Sequence, residues 1–342
     1  MQDDKKTISE IGEFGLIDRL ASRLPRMKRD DLILGIGDDT AVIRKDDEHV
    51  LLITCDIQVE NQHFRLKNIS PHQLGKRAMA VTLSDIAAMG GTPTFALVSL
   101  GAPAHFPLTQ FESLNQGMGE MLAEFDAQII GGNLSSTERD LIIDITLMGE
   151  APANKFLTRS GARPGDRIYV TGVPGMSGAG FTVIEQYGKN YPPEFSELIR
   201  AHLEPMPRVA TGKRLAESGV VTAMIDISDG IASDLNHICT QSHVGALLNQ
   251  VQFPHISHVK KIESIVGKPF HELALNSGED YELLFTVKKD ADLSVLESIA
   301  KETNIRITEI GVIQSQADGF SMLMATGEHV QVQPKGWDHF NR

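Results

Sequence analysis

The sequence predicts an α/β protein of the α+β type with two domains. The chain has 342 residues, more than one hydrophobic core usually serves. Short apolar runs typical of strands recur between longer amphipathic segments typical of helices. The composition changes after Glu150, because residues 159–175 are dense in glycine and proline. We therefore predict a first domain at residues 1–150 and a second at 151–342.

In the first domain, apolar residues at helical spacing predict an opening helix at 8–24. Pro71 and the Gly90-Gly91 pair mark the two ends of a second helix. The run VLLIT predicts a buried strand that ends at Asp56, and IIGGN predicts a strand that breaks into a glycine turn. The expected helices are 8–24, 71–90 and 108–126, and the expected strands are 50–54, 95–100, 129–133 and 141–150.

The second domain repeats the theme of a strand, an acidic turn and a helix. Its predicted strands are RIYVTG (167–172), 223–227 and 282–287, and its predicted helices are 178–188, 208–218, one from about 230, and 292–303. Further strand-like segments reach the C-terminus. We find no fixed-period repeat.

Composition excludes several classes of protein. The formal net charge of −13, from 32 basic and 45 acidic residues, argues against a general nucleic-acid binder. No uncharged apolar run reaches about 18 residues, so we expect no membrane span. The polar start MQDDKKTISE is not a signal peptide, and two cysteines are too few for a disulfide framework. We therefore expect a cytoplasmic protein.

Carboxylates recur in turns beside apolar runs or glycines. Clustered carboxylates are costly unless cations neutralise them, and oxygen ligands without a His/Cys cluster favour Mg²⁺. Acidic turns combined with glycine turns therefore suggest phosphoryl transfer. These acids are Asp38 and Asp39 in GIGDD, Asp56, Asp85, Asp226 and Asp229 in IDISDG, and Glu279 and Asp280 in SGEDYE.

A simpler interpretation stays open, because aspartate is favoured in turns and helix caps in any case. Asp229, for example, could be an N-cap of the following helix. The usual nucleotide fingerprints are missing from the sequence: there is no P-loop, protein-kinase or complete GxGxxG pattern.

Several strings, in order along the chain, resemble the thiamine-monophosphate kinase family. They are GEFGLIDRL, GIGDDTAVI, TCDIQVENQHF, KRAMAVTLSDIAAMGGTP, LTRSGARPGD, IDISDGIASDL, GEDYELLFTV and GWDHF. The resemblance covers about residues 11 to 340. GIGDD and LSDIAAMG are shared with the wider aminoimidazole-ribonucleotide-synthetase-like superfamily, whereas GEDYELLF with GWDHF is more specific.

The resemblance implies a two-domain aminoimidazole-ribonucleotide-synthetase-like fold whose N-terminal sheet domain pairs in a homodimer. It implies transfer of the ATP γ-phosphate to thiamine monophosphate, giving thiamine diphosphate, with several Mg²⁺ ions. The implied metal positions are Asp39, Thr54, Cys55, Asp56, Asp85, Asn133, Asp226 and Asp229, with Thr54 and Cys55 acting through main-chain or water-mediated contacts. The implied ATP contacts are Gly132, Asn133, Arg159 and Ser228, and the implied substrate contacts are His63, Glu279 and Trp337.

The sequence departs from the family pattern at three of these motifs. Asn133 stands where the family has a metal-binding aspartate, Thr82 replaces an asparagine, and Ser277 replaces a glycine. Two alternatives therefore stay open. One is another superfamily enzyme, such as an aminoimidazole-ribonucleotide synthetase. The other is a module that binds ATP and thiamine phosphates without turnover.

Overall fold

The computed structural model describes residues 7–24, 29–257 and 259–334 of the chain. It confirms the predicted fold class, because two mainly antiparallel sheets carry packed helices. No helix in these ranges is both long and apolar enough to cross a membrane.

The first sheet has six strands, all drawn from residues 32–152. They are β1 (Leu32–Leu34), β2 (Ala41–Arg44), β3 (His49–Val59), β4 (Thr92–Pro103), β5 (Gln128–Thr137) and β6 (Ile142–Pro152). Their order is β1–β2–β3–β6–β4–β5, and only β4 and β5 run parallel to each other.

Helices cover one face of this sheet. α1 (Glu13–Arg23) precedes it, and α2 (Pro71–Ala88) and α3 (Leu108–Ala123) pack on the apolar face of the strands. The side-chain hydroxyl of Ser70 accepts from the Gln73 amide, and Pro71 occupies the first turn, so α2 begins where the sequence predicts. On the opposite face, Ile57, Phe95 and Leu97 keep 52%, 42% and 41% of their surface exposed.

The second sheet has seven strands, all from residues 167–331. They are β7 (Arg167–Thr171), β8 (Val221–Asp226), β9 (Val244–Asn249), β10 (Leu283–Val287), β11 (Ile307–Ser315), β12 (Phe320–Leu323) and β13 (His329–Gln331). The order is β13–β12–β9–β11–β7–β10–β8. Its helices are α4 (Met176–Tyr187), α5 (Ser196–Leu203), α6 (Val209–Ser218), α7 (Ile231–Ser242), α8 (Val259–Val266), α9 (Phe270–Asn276) and α10 (Ser294–Thr303).

Alternate residues of the second sheet enter different cores. Leu283 and Phe285 of β10 join the core that continues into the first sheet, whereas Leu284 joins a second core with Ile231 and Leu235 of α7. α2 touches the first sheet and also α5, α6 and β8. Because α2 lies between the two halves, it can present side chains to both.

The predicted helices and strands are present, but three details are wrong. The opening helix expected at 8–24 is a short 3₁₀ helix, Ile8–Glu10, followed by α1 from Glu13. β3 continues to Val59, so Asp56 lies inside the strand, because eleven residues of β3 pair with β6. β5 also continues through Gly132 to Thr137 instead of turning, because it pairs in parallel with β4. The prediction also missed β1, β2, β9, α5, α8 and α9, which are short.

Candidate active site

Three aspartates from distant parts of the chain converge between the two sheets. Asp39, Asp85 and Asp226 each offer one carboxylate oxygen, and these oxygens lie within 4.8 Å of one another. Asp39 follows β1, Asp85 lies in the last turn of α2, and Asp226 ends β8. The position of α2 between the halves therefore brings the three acids together.

Neighbouring polar side chains support the aspartates. The Ser84 hydroxyl donates to Asp226 Oδ2 at 2.7 Å, and the Thr54 hydroxyl donates to Asp85 Oδ2. Asp56, two residues after Thr54, points to the same face of β3. Within the described ranges, the buried Oδ2 atoms of Asp39 and Asp56 have no hydrogen-bond partner.

Burial and mutual repulsion make these carboxylates weaker acids than usual. Burial raises the pKa of Asp226 to about 7, and nearby Asp39 adds to this shift. Burial also raises the pKa of Asp56 to about 6. The pKa of Asp85 lies well above its ordinary value, because it is buried and faces Asp56, Asp226 and Asp39. Ionised carboxylates are unfavourable here unless positive charge joins them.

The donor set fits magnesium. The converging ligand atoms are all oxygens, and two nearby carboxylate oxygens have no hydrogen-bond partner in the part of the chain that the structure describes. The mutual repulsion of these carboxylates favours binding of a cation. Hard divalent cations take such ligands, whereas zinc favours nitrogen and sulfur. Asp39, Asp85 and Asp226 are the side chains best placed to hold an ion, with Thr54 and Asp56 beside them.

One arginine already faces the cluster. Arg159 donates from Nη2 to Asp39 Oδ1 at 2.6 Å and from Nε to the same oxygen at 3.2 Å. Its backbone amide donates to Asp38 Oδ2 at 3.2 Å. Burial and, next in size, the charge of the adjacent Asp39 raise the pKa of Asp38 to about 7. The Arg159 guanidinium is thus fixed at the edge of the acidic cluster.

Two turns meet beside Asp226. The Glu279 amide donates to the Ser228 carbonyl at 2.7 Å. Gly278 has φ +64°, and a Cβ there would clash with the Ser228 carbonyl oxygen, so glycine is needed at this contact. This pairing sets Ser228 and Asp229 next to Glu279.

Asp229 is not an N-cap, so the capping interpretation is wrong. α7 begins at Ile231 with Gly230 as its N-cap. The Asp229 amide instead donates to Asp234 Oδ2 at 3.3 Å. Its side chain stays half-buried, beside but outside the three-aspartate group.

Cys55 and Asn133 point away from the aspartates. Consecutive strand residues face opposite sides, and Cys55 Sγ lies 3.7 Å from Asp144 Oδ1 on β6, across the sheet from Thr54 and Asp56. In the sheet register Asn133 pairs with Ser99, which pairs with Asp144, so Asn133 shares the face of Cys55. A single copy of the chain therefore does not bring either side chain to the cluster.

The remaining predicted residues have varied positions. A Cβ on Gly132 would clash with the Val98 carbonyl oxygen, so this glycine allows β4 and β5 to approach. The His63 Nδ1 accepts from the Val59 amide at 2.9 Å just beyond the end of β3. Trp337 lies outside the described residues.

Sequence reasoning missed Arg77, Ser84 and His202. Arg77 donates from Nη2 to Glu279 Oε1 at 2.5 Å and from Nη1 to the His202 carbonyl at 2.9 Å. Arg77 and Ser84 lie seven residues apart in KRAMAVTLSDIAAMG, which puts both on one side of a helix, and this spacing was a usable signal. His202, in the short helix α5, carries no comparable signal.

Two family models together match most of the chain. The family model described as AIR synthase related protein, N-terminal domain, matches residues 37–151, and the corresponding C-terminal domain matches residues 163–323. Thiamine-monophosphate kinase from Escherichia coli is 36% identical over 334 residues, covering 96% of this chain and 98% of the relative. The Bacillus subtilis enzyme of the same name is 33% identical, covering 96% and 100%.

The chain belongs to the thiamine-monophosphate kinase family. Solved structures of this family share its fold. Thiamine monophosphate kinase from Aquifex aeolicus superposes with a TM-score of 0.78 at 31% identity, covering 95% of this chain and 100% of that one. A structure described as AaThiL complexed with AMPPCP and TMP gives a TM-score of 0.82 at 32% identity, covering 98% and 100%.

Proposed function

We propose that this protein is a thiamine-monophosphate kinase that transfers the γ-phosphate of ATP directly to thiamine monophosphate, with Mg²⁺, giving thiamine diphosphate. The observation that carries the proposal is the buried convergence of Asp39, Asp85 and Asp226, in a chain that matches the family over nearly its whole length. A family structure complexed with AMPPCP and TMP supports the choice of substrates.

The reaction needs charge neutralisation more than a base. The accepting phosphate has a second pKa of about 6, so it is already largely ionised at neutral pH. The obstacle is the approach of one anion to another. Arg159, fixed beside Asp39, is placed to lower that repulsion and to stabilise the transferring group.

The acidic cluster supplies the sites for magnesium. Magnesium held there would supply positive charge that offsets the negative charge of the substrate phosphates. Asp39, Asp85 and Asp226 would hold it, and Thr54 and Ser84 keep two of these carboxylates oriented. Asp56 and Asp229, at the edges of the cluster, are candidates for further ions.

Nucleotide and substrate contacts are proposed at the positions that the family resemblance indicates. ATP would contact Arg159 and Ser228, together with Gly132 and Asn133. Thiamine monophosphate would contact His63, Glu279 and Trp337. Because Asn133 and the aspartates lie on opposite faces of one sheet, Asn133 would act on a separate ion or on the site of a second copy of the chain.

We further propose a cytoplasmic homodimer of two-domain chains. We move the domain boundary from Glu150, where the sequence puts it, to the segment between β6 and β7, because β6 continues to Pro152. The exposed apolar residues Ile57, Phe95 and Leu97 on the uncovered face of the first sheet support pairing of two copies there. The six-stranded sheet ends at Pro152 and the next begins at Arg167, which supports the boundary. Two unpaired cysteines fit a reducing compartment.

The proposal is tested by measuring ADP release and thiamine diphosphate together, with ATP and Mg²⁺, in the presence and absence of thiamine monophosphate. We expect both products only when both substrates and the metal are present. ADP without thiamine diphosphate would contradict the proposal and indicate another acceptor. Binding of ATP without any turnover would contradict it in favour of a binding module, as the missing aspartate at position 133 could allow.

A further inference from the structure

A buried arginine from the first half of the chain holds a glutamate of the second half. Arg77, on α2, has 1% of its side chain exposed, and its Nη2 lies 2.5 Å from Glu279 Oε1. Glu279 keeps 35% of its side chain exposed. Its second oxygen, Oε2, accepts no hydrogen bond within the described ranges and lies 3.7 Å from His202 Nδ1. Arg77 therefore binds one oxygen of the Glu279 carboxylate and leaves the other available to a ligand.

His202 also contacts Arg77 and helps to fix the orientation of its guanidinium group. Arg77 can only donate, so His202 Nε2, 3.3 Å from Arg77 Nη1, is the accepting nitrogen of the ring. The proton then sits on Nδ1, which donates to the Ser177 hydroxyl at 3.0 Å. Burial, followed by nearby Arg77, lowers the pKa of His202 to about 4, so the ring is neutral at pH 7. Arg77 is therefore fixed from both sides.

In a second arginine–glutamate pair nearby, both carboxylate oxygens of the glutamate are hydrogen-bonded. Arg208 binds both oxygens of Glu282, at 2.7 and 2.5 Å, and the Thr171 hydroxyl donates to Oε2 at 2.6 Å. Glu282 is 7% exposed. In contrast, Arg77 leaves one oxygen of Glu279 unused, and its own Nε is buried without a partner among the described residues. A buried ion pair that leaves polar groups without hydrogen bonds contributes little to the stability of the fold.

The position of the Arg77–Glu279 pair suits one end of an extended substrate. Arg77 and Asp85 are eight residues apart on α2, a rise of about 12 Å along the helix. Arg77, which holds Glu279, thus leaves α2 about two turns from Asp85, so a molecule in contact with both Glu279 and the aspartate cluster would extend along this helix. Thiamine monophosphate has a phosphate at one end and a cationic thiazolium ring, followed by an aminopyrimidine, towards the other.

We propose that Arg77 is a positioning residue for substrate binding, which sets the Glu279 carboxylate so that Oε2 receives the ring portion of thiamine monophosphate. The inference rests on the proposed function. The left-handed backbone of Glu279, with φ +56°, and the contact of its amide with Ser228 fix the main chain, and Arg77 fixes the side chain. Arg77 thereby links substrate recognition in the second half to the helix that carries Asp85.

Steady-state kinetics of Arg77→Met, Glu279→Gln and the double variant test this proposal. We expect Arg77→Met to raise the KM for thiamine monophosphate by about tenfold or more, with the KM for ATP and kcat changed less than about twofold. Because Arg77 acts through Glu279, adding Arg77→Met to Glu279→Gln should raise this KM by less than about twofold further.

Arg208→Lys and Arg77→Lys form the matched comparison, because each removes the paired donors of an arginine while keeping the charge. Arg77→Lys should raise the KM for thiamine monophosphate severalfold, less than Arg77→Met does. Arg208→Lys should leave that KM unchanged, whatever its effect on the melting temperature. Thermal melts of all variants identify those that fail to fold, and Arg77→Lys keeps the test valid if Arg77→Met is among them.

Three results would overturn the inference alone: an unchanged KM for thiamine monophosphate in both Arg77 variants, multiplying effects in the double variant, or an equal rise in Arg208→Lys. Failure of the unaltered protein to phosphorylate thiamine monophosphate would instead overturn the proposed function, and this inference with it. The kinetics of the unaltered protein therefore separate the two failures.

Discussion

A buried aspartate of the cluster destabilises the fold when it is ionised without a partner. Its negative charge becomes favourable only when a cation joins the cluster. Asp226 is 3% exposed, and burial raises its pKa to about 7, so its ionised form is disfavoured in the metal-free protein. Replacing a buried charge by a neutral isostere often stabilises a protein, whereas a bound cation reverses that preference. Comparing the stability of an aspartate variant with and without metal therefore tells whether that aspartate binds a cation.

We predict that Asp85→Asn melts at the same or a higher temperature than the unaltered protein in EDTA, because it removes a buried carboxylate that faces Asp56, Asp226 and Asp39. With Mg²⁺ and ATP the order should reverse, and kcat/KM should fall by about 100-fold or more. Thermal melts under the two conditions and initial rates provide the measurements.

The exposed Asp47→Asn is the control, and it should match the unaltered protein in both conditions. If Asp85→Asn were strongly destabilised in EDTA and showed the same Mg²⁺ dependence as the unaltered protein, Asp85 would be a structural residue and not a metal ligand.

At the scale of the element, α2 depends on close backbone contacts with its neighbours. A Cβ on Gly75 would clash with the Leu114 carbonyl oxygen of α3. A Cβ on Gly212 of α6 would clash in the same way with the Ala87 carbonyl oxygen of α2. Small residues at these contacts allow α2 to lie between the two halves, where it can carry both Arg77 and Asp85.

Gly75→Ala should destabilise the protein by about 1–3 kcal/mol, because the added methyl forces α2 and α3 apart. Gly119→Ala is a matched control on α3, because outside the backbone of its own helix no atom of the described residues lies within 4 Å of the place its methyl group would take, and it should instead stabilise by about 0.5–1 kcal/mol. Urea denaturation measures both. Equal effects of the two substitutions would rule out a tight α2–α3 contact.

The sequence predicted the long elements well because their periodicity and caps are local signals. Pro71 marked the start of α2 correctly, and the Gly90-Gly91 pair follows closely after its end at Ala88. Short elements such as β1, with three residues, give too few positions for a periodic pattern. The strand at Asp56 was ended too early because β3 extends through pairing with β6, which is a long-range contact.

The candidate site was predicted in part for the same reason. The motifs around Asp39, Asp85 and Asp226 identified acids that the fold does bring together. The implied set also contained Cys55, whose side chain faces the other side of β3 from Thr54 and Asp56, so its implied contact through the main chain stays a prediction. Arg77 was missed because its partner Glu279 lies 202 positions along the chain.

At the scale of the whole molecule, one face of the first sheet carries several exposed apolar side chains among polar ones. α2 and α3 cover the other face, whereas Phe95 and Leu97 remain about two-fifths exposed. Exposed apolar side chains grouped on one face of a sheet are typical of an interaction surface. This face also carries Asn133, which the family resemblance associates with nucleotide and metal.

We predict that the protein sediments as a dimer and that Leu97→Glu converts it to a monomer, because the change places a charge among these apolar side chains. Leu108→Glu, also exposed but at the start of α3, should remain dimeric. Sedimentation velocity at several concentrations measures this. A monomeric unaltered protein, or a dimeric Leu97→Glu variant, would contradict pairing through this face.

Direct transfer of a phosphoryl group from ATP to thiamine monophosphate can be followed with ATP labelled at the γ-phosphate. The thiamine phosphates are then separated and the label in each is measured. We predict that the label appears in thiamine diphosphate, at its terminal phosphate, only when Mg²⁺ and thiamine monophosphate are both present. Label found only in inorganic phosphate, with no labelled thiamine diphosphate, would contradict the account.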